Sequence, residues 1–326
     1  MAYEVGTASN AGDLLLKLET FLTTNPALVA ANQQWQSMKD NVVQPYTQTY
    51  DMTAAQKWQL HRCFVGKGLD GRDNIVVPMA LYVEQAQTYY TLCAWTARSW
   101  DKTKGMSEQF TTTGVTNNQS CMSLWNAQIP YWFFANGRRF IVIAKIANRY
   151  MSLYAGFVMP CGTDREYSYP LYIGANHTTV SRNYQHDSLT ANGSFWRPAV
   201  DTDDERCSGA IVNPQGMIVR CSAEQLRNAR TREEASGFWA QLAYVFPYHY
   251  NHYIGKTPDN NYVLKPIEIV QSKGTYQCLG WLDNAFYISG FENSPESIVT
   301  VNGEQYICFP SMVSNTHNDY CAIKME

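Results

Sequence analysis

The feature that most constrains the fold is an Asn-Gly pair, Asn136-Gly137, between two runs of β-forming residues at 125–134 and 139–146. Both residues of such a pair readily adopt positive φ, which a two-residue turn between antiparallel strands requires. The pattern therefore predicts a β-hairpin. A further run, Tyr150 to Val158, is predicted to extend the same sheet.

A second Asn-Gly pair, Asn302-Gly303, lies between the β-forming runs Ser297–Val301 and Glu304–Phe309. It predicts a second hairpin near the C-terminus. Ahead of the first hairpin, runs at Trp58–Val65 and Ile75–Tyr82 are joined by a glycine-containing turn.

Only the N-terminal segment has a clear helical pattern. Asn10 is a suitable N-cap, and apolar residues then recur on one face from about Ala11 to Thr24, where Asn25-Pro26 ends the helix. The predicted fold class is α+β: an N-terminal helix, mainly antiparallel β-sheet hairpins and a β-rich C-terminal part.

The chain of 326 residues is long enough for two domains. A polar, turn-rich stretch begins near residue 160 and continues to about 204. We therefore predict an α+β domain at 1–160 and a β-rich domain with a long polar insertion at 161–326.

The amino-acid composition and net charge limit the kinds of partner that we expect for this chain. Charged residues are 16% and aromatic residues 13% of the chain, which suits either a surface buried in an assembly or an aromatic β core. The net charge of −3 argues against binding nucleic acid, which needs clustered Lys and Arg. No signal peptide or long apolar span is visible, so we expect a soluble product of the cytoplasm with no membrane partner.

Motifs that carry enzyme chemistry are missing: the sequence has no hydrolase elbow, Walker loop, zinc-protease helix or dinucleotide fingerprint. His249 and His252 have a spacing that can bind metal, but packing is the alternative, because no third ligand is evident. The acidic stretch 201–205 suits either calcium or a solvated turn. Arg138 and Arg139 follow the hairpin turn, where successive side chains point to opposite faces. Surface placement is expected for both, and the alternative is that one pairs within the fold and the other lies at an interface. We predict no catalytic residue, no metal and no cofactor.

Several segments spread along the chain have distinctive sequences and are considered together. They are Ile129-Pro-Tyr-Trp-Phe-Phe-Ala-Asn-Gly-Arg-Arg-Phe-Ile-Val-Ile-Ala-Lys-Ile146, Tyr150-x3-Tyr154-Ala-Gly-Phe157, Tyr167-x-Tyr-Pro-Leu171, Tyr3-Glu-Val-Gly-Thr-Ala-Ser-Asn10, Asp13-Leu-Leu-x-Lys-Leu18, Gly68-Leu-x-Gly71, Gly290-Phe-Glu-Asn293 and Val301-Asn-Gly303. Together they resemble a family of tailed-bacteriophage virion structural proteins. The 101–120 and 174–206 regions do not match that pattern.

The resemblance implies a structural subunit that forms a ring or sleeve at the neck, collar or tail of a virion assembled in the host cytoplasm. An initial helix followed by long hairpins is similar to the tail-terminator folds, which implies such a fold for residues 1–160. It also implies a homo-oligomer of six copies, or a multiple of six, that contacts other neck or tail proteins. The alternatives are a tail-associated glycan-degrading enzyme, using carboxylates such as Asp203 and Glu205, and a receptor-binding module.

Nine cysteines are present, and no pair has the two-residue spacing of structural zinc sites. Most are expected to be buried and reduced, including Cys93 and Cys308 in apolar runs. Cys207 and Cys321 lie in polar or terminal positions. We expect them to be accessible and to form disulfides between subunits after the particle leaves the cell.

Overall fold

A computed structural model gives the fold of most of the chain. It describes residues 1–38, 58–71, 75–97, 101, 103, 119–161, 170–185, 193–198, 200–201, 206–212, 218–222, 243–246, 256–273, 275–312 and 319–325.

The predicted N-terminal helix is confirmed at both ends. Helix α1 spans Ala11–Thr24, and the side chain of Asn10 caps it by accepting a hydrogen bond from the Asp13 amide at 3.0 Å. Asn25 then caps the short helix α2 (Pro26–Ala30). Its proline stands at the first turn, where the missing N–H is not needed. A single 3₁₀ turn covers Gln85–Gln87.

The other elements of the described residues are strands. Those up to residue 174 are β1 (Ala2–Ala8), β2 (Gln36–Met38), β3 (Trp58–Gly66), β4 (Ile75–Glu84), β5 (Tyr89–Ala94), β6 (Ser120–Leu124), β7 (Ile129–Ala135), β8 (Arg139–Ile146), β9 (Arg149–Phe157), β10 (Met159–Pro160) and β11 (Leu171–Gly174). The later ones are β12 (Val200–Asp201), β13 (Arg206–Cys207), β14 (Gly209–Val212), β15 (Ile218–Ser222), β16 (Ala243–Phe246), β17 (Lys265–Lys273), β18 (Thr275–Ile288), β19 (Ile298–Val301), β20 (Glu304–Pro310) and β21 (Tyr320–Lys324).

These strands form two main sheets and a small pair. The five-stranded sheet has the order β2-β3-β4-β5-β6. The large sheet has the order β1-β7-β8-β9-β11-β14-β15-β16-β17-β18-β21-β20-β19, and β10 also pairs with β18. Among the described strands only β15 and β16 pair in parallel. The predicted mainly antiparallel architecture with an N-terminal helix is therefore confirmed.

Strands β7, β8 and β9 lie at the centre of two apolar cores. Alternate residues of these strands, among them Phe133, Phe140 and Leu153, pack with α1 and the five-stranded sheet in the first core. The intervening residues, among them Trp132 and Tyr154, pack with side chains of β17, β18, β20 and β21 in the second core. The period-2 alternation of a strand thus divides the buried apolar residues of this hairpin between the two cores.

Both predicted hairpins are confirmed, as β7–β8 and β19–β20. The expected positive φ at both turn residues occurs in the second, at Asn302 and Gly303, but not at Asn136 and Gly137 in the first. The first turn also contacts the β3–β4 turn, because the Gly68 amide donates to the Gly137 carbonyl at 2.9 Å. A Cβ atom at Gly137 would lie only 2.0 Å from the Gly68 carbonyl oxygen. Glycine is required at this close approach of two backbones.

The C-terminal strands differ from expectation in one respect. The sequence has two β-forming runs here, 276–282 and 285–291, which predict two separate strands. In the structure one strand, β18, is continuous from Thr275 to Ile288. Asn284 adopts a φ of 57° within it, so the polar pair Asp283-Asn284 bends the strand without ending it. Strands from both sides of residue 160 belong to the large sheet, and the division into two domains stays a prediction.

Candidate assembly surface

The strand order of the large sheet ends in two edge strands. Among the described residues β1 pairs only with β7, and β19 pairs only with β20. An edge strand presents a row of unpaired backbone N–H and C=O groups, which can bind a further strand.

The register shows which residues of β1 present these groups. The Asn136 amide donates to the Arg139 carbonyl at 3.0 Å, so every second residue of β7, counted from Asn136, is hydrogen-bonded to β8. The alternate residues of β7 therefore bond β1, and their partners in β1 are Ala2, Glu4, Gly6 and Ala8. The backbone groups of Tyr3, Val5 and Thr7 consequently point away from the sheet.

Strand β19 shows the same alternation of backbone hydrogen bonds. The Cys308 amide donates to the Ser297 carbonyl at 3.0 Å, so Ser297, Val299 and Val301 direct their backbone groups toward β20. Ile298 and Thr300 direct theirs outward. Each edge thus offers outward-pointing backbone N–H and C=O groups at every second residue.

Each edge also exposes one large apolar side chain. Val5 is 57% exposed and Ile298 is 54% exposed. Val5 lies opposite Trp132 and Ile298 lies opposite Ile307, and both of these partners belong to the second core. The two exposed side chains therefore extend the same face of the large sheet beyond its last strand at either end.

The two edges run in opposite directions. Neighbouring strands along the large sheet alternate in direction except at β15–β16, and counting along the order leaves β1 antiparallel to β19. If a second copy continued the sheet with the same face on the same side, its β19 would meet β1 as an antiparallel neighbour. That is the geometry in which strand pairs are joined most often.

Two of the devices that usually block strand addition, lysine and proline, are absent from β1 and β19, although β19 is only four residues long. The carboxylate of Glu4 in β1 accepts a hydrogen bond from the Tyr131 hydroxyl at 2.9 Å. By contrast, the outer edge of β6 is occupied, because the Cys121 amide donates to the His177 carbonyl at 2.8 Å. The open edges of the large sheet are thus the best candidate surface in the described part of the chain.

The two open edges were not predicted from the sequence. The alternation of β-forming residues at Tyr3, Val5 and Thr7 was the available signal for β1. Whether a strand lies at an edge depends on all the other pairings of its sheet, and its nearest partner here, β7, is more than 100 residues away in the chain.

The predicted cysteine sites have different outcomes. Cys321 is fully buried in β21, so its expected accessibility is wrong: it packs in the second core although it lies near the C-terminus. Cys207 belongs to β13, and its side chain lies outside the described residues. Cys93 and Cys308 are buried, as predicted. The bridge between Cys161 and Cys278 within the chain was not predicted, since both were expected to be reduced.

Arg139 also differs from expectation. It is completely buried, and its Nε lies 3.5 Å from the Asp283 carboxylate and donates to the Asp283 carbonyl at 3.2 Å. The surface placement expected for both arginines is therefore wrong for Arg139, whereas Arg138 is partly buried and contacts Met159. His249, His252, Asp203 and Glu205 lie outside the described residues.

One contact resembles part of a hydrolase site without its chemistry. Ser123 Oγ lies 2.6 Å from His177 Nε2 and also 2.6 Å from the Arg182 carbonyl oxygen. The hydroxyl has a single proton, which the carbonyl oxygen must accept, so the imidazole is the donor toward Ser123. A histidine in that role cannot act as the base that activates a serine. This fully buried pair is a packing contact.

No group of three or more His, Cys, Asp or Glu side chains is arranged to hold a metal within the described ranges. In the same part of the chain, no helix has the length and apolar character needed to cross a membrane. Comparison with protein-family models and with curated proteins gives no match.

Proposed function

We propose that this chain is a structural subunit of a tailed-phage virion, in which copies join head to tail into a ring or sleeve at the neck, collar or tail. The observation that carries the proposal is the pair of open edges, which expose matching apolar side chains on one face of the large sheet. The family resemblance of the sequence supports the location in the virion.

In the proposed contact β1 of one copy adds to β19 of the next. With Val5 opposite Ile298 and Tyr3 opposite Thr300, all four residues direct their backbone groups at the partner strand, which gives four hydrogen bonds. The side chains of Val5 and Ile298 then become a cross-strand apolar pair. Glu4 lies opposite Val299, so no like charges oppose each other.

Two different surfaces meet in this contact, and such a heterologous contact generates a ring when its rotation closes. The resemblance to tail proteins favours six copies or a multiple of six. Aromatic residues on the remaining surface would then serve contacts with other neck or tail proteins.

Native mass spectrometry and light scattering of the purified chain test the contact. Val5→Lys and Ile298→Lys each place a charge at one edge, and each is expected to abolish the ring. Phe291→Lys is the matched control, because Phe291 is 58% exposed but lies outside both edge strands.

Mixing the two edge variants tests the head-to-tail arrangement itself. The intact β19 of the Val5→Lys chain can still accept the intact β1 of the Ile298→Lys chain, so the mixture should form heterodimers that go no further. Assembly blocked by Val5→Lys but unaffected by Ile298→Lys would contradict this contact.

The virion location has its own test, which is a map of the purified particle with the chain labelled by a specific antibody. Density at the neck, collar or tail is expected. Absence of the chain from mature particles would overturn the virion role, whatever the oligomeric state of the purified protein.

A further inference from the structure

The outer face of the five-stranded sheet contains a pair of cysteines on neighbouring strands. Cys93 in β5 and Cys121 in β6 are directly opposite in the register, and their sulfur atoms are 3.1 Å apart. Both side chains are fully buried in an apolar cluster that also contains Cys63 and Trp95. The two thiols are thus held in contact by the strand pairing itself.

The type of strand pair decides how close two such residues can come. The Cys121 amide donates to the His177 carbonyl, and the Cys121 carbonyl accepts from the Asn176 and His177 amides at 3.0 and 3.1 Å. All its backbone groups therefore point away from β5, which makes Cys93 and Cys121 a non-hydrogen-bonded pair of the β5–β6 ladder. Such pairs bring their α-carbons to about 4.5 Å and their side chains closest together.

That separation lies inside the range that a disulfide spans, about 4.4 to 6.8 Å between α-carbons. The contact fits a metal site poorly, because no cluster of three ligating side chains occurs among the described residues. The Cys93 sulfur also makes a weak contact with the Thr91 carbonyl at 3.9 Å. The two free thiols thus have the geometry that a disulfide bond requires.

We propose that Cys93 and Cys121 are an oxidisable dithiol, which closes to an intrachain disulfide when the chain meets a small-molecule disulfide such as oxidised glutathione. One thiolate attacks the reagent and releases one reduced thiol. The second cysteine then attacks the mixed disulfide and releases another. Two S–H bonds are replaced by one S–S bond, two protons leave the cysteines, and two electrons reduce the reagent to two thiols.

Burial controls when this happens. The apolar surroundings raise the pKa of the Cys93 thiol, and the neighbouring Cys121 raises it further. The reactive thiolate is therefore scarce in the closed sheet, and oxidation has to wait for a local opening of β5 and β6. Reduced thiols would persist in the cytosol, and the bond would form slowly in an oxidising medium.

The bond would fasten the edge strand β6 to its neighbour β5. Strand β6 holds the segment at Asn176 and His177 on its other side, so this segment would be fastened as well. The oxidative lock would thus act inside each chain, independently of any contact between subunits.

The test is to equilibrate the full-length protein with oxidised glutathione in a low, non-denaturing concentration of urea, which promotes local opening. Free thiols are then alkylated, and the digest is analysed by mass spectrometry. The expected result is a peptide pair linked through Cys93 and Cys121, together with a rise in Tm of about 5 °C. Reduction with dithiothreitol should reverse both changes.

Cys93→Ala and Cys121→Ala should each abolish the oxidation-dependent Tm rise. Cys308→Ala is the control and should retain it, because Cys308 is equally buried but lies in another cluster. The linked peptides are read from the wild-type chain, so the test stands even if a variant fails to fold. Recovery of both cysteines as alkylated thiols, or a bridge from either of them to Cys63, would overturn the proposal.

Discussion

The two faces of β7, β8 and β9 are both buried, but they are held by different chemistry. The face toward α1 and the five-stranded sheet consists mainly of aliphatic side chains and phenylalanine, such as Phe133 and Val142. The face toward the C-terminal strands is rich in tyrosine and tryptophan. In that second core the hydroxyls of Tyr154, Tyr172 and Tyr287 donate to backbone carbonyls at 2.5 to 2.7 Å.

The difference shows how regular and irregular structure are joined in one chain. Strand pairs and a helix satisfy their own backbone groups, so the first core needs only complementary shapes. The 193–198 segment has little regular structure, and two of the tyrosines bind the carbonyls of Phe195 and Trp196 within it. The second core must therefore satisfy backbone groups as well as exclude water.

The largest effect is expected from a cavity in the first core. Phe133 is fully buried and stacks on Tyr131 with ring centroids 4.1 Å apart. Phe133→Ala is expected to lower the free energy of unfolding by about 3–5 kcal/mol, because the packed neighbours cannot fill the space. Denaturation in urea measures this loss. Phe291→Ala, at an exposed position, is the control and should change the value by less than about 0.5 kcal/mol.

A charged contact between α1 and β3, beside the first core, should come next. The Arg62 guanidinium, 1% exposed, lies 2.7 Å from the Glu19 carboxylate on α1. Burial lowers the pKa of Arg62, and the hydrogen bond to Glu19 opposes that shift. Glu19→Ala leaves this buried charge without its carboxylate, so we expect a loss of about 3 kcal/mol in unfolding free energy.

A double variant makes this second test specific. Replacing Arg62 with Leu in the Glu19→Ala background should recover part of the loss, since no charge then remains buried. Equal and additive losses from the two single changes would show that the pair is not coupled.

The second core should respond to the loss of one hydroxyl. Tyr154 is buried, donates to the Phe157 carbonyl at 2.6 Å and lies 3.3 Å from the Asp283 amide. Tyr154→Phe keeps the ring but leaves the carbonyl without this donor, which should cost about 1–2 kcal/mol. The same change at the partly exposed Tyr184 is the control. A similar loss in both variants would contradict a special role for the buried hydroxyls.

The contrast between the cores also explains what the sequence could predict. Helix α1 and the two Asn-Gly hairpins depend on residues within a few positions of each other, and all three were predicted correctly. The burial of Cys321 and Arg139 depends on β18. This strand pairs with β21, which contains Cys321, and its Asp283 contacts Arg139 from a distant part of the chain. Local polarity and position near the chain end therefore gave the wrong expectation for both.

The candidate assembly surface was even harder to predict from the sequence, because it depends on the pairing of every strand in the large sheet. The sequence marks Tyr3, Val5 and Ile298 as β-forming residues, but only the complete strand order shows that their strands have no outer neighbour among the described residues. The tyrosine contacts to Phe195 and Trp196 are equally invisible, because no periodic pattern predicts which hydroxyl meets which carbonyl.

The smallest effect concerns a partly exposed polar cluster at the margin of the second core. The Glu296 carboxylate lies 2.6 Å from Lys145 Nζ and accepts from the Tyr150 hydroxyl at 2.5 Å. Burial alone would raise the pKa of Glu296, but the hydrogen bonds from Lys145 and Tyr150 outweigh it and lower the pKa. Because both side chains of the ion pair are 35% exposed, solvent screening should keep the contribution below about 1 kcal/mol.

The sign of the pH dependence follows from that lowered pKa. A carboxyl that titrates at lower pH in the folded than in the unfolded state stabilises the fold above its ordinary pKa, and this stabilisation is lost as the pH falls through the folded value. We therefore expect Glu296→Gln to be less stable than the wild type at pH 7, with the two free energies of unfolding converging between about pH 5 and pH 3. Lys145→Met should make the free energy of unfolding less dependent on pH in the same interval, because it removes the charge that holds the pKa of Glu296 down. If the wild type and Glu296→Gln keep a constant difference across this range, the stabilisation at this margin comes from packing alone and the ion pair contributes nothing to it.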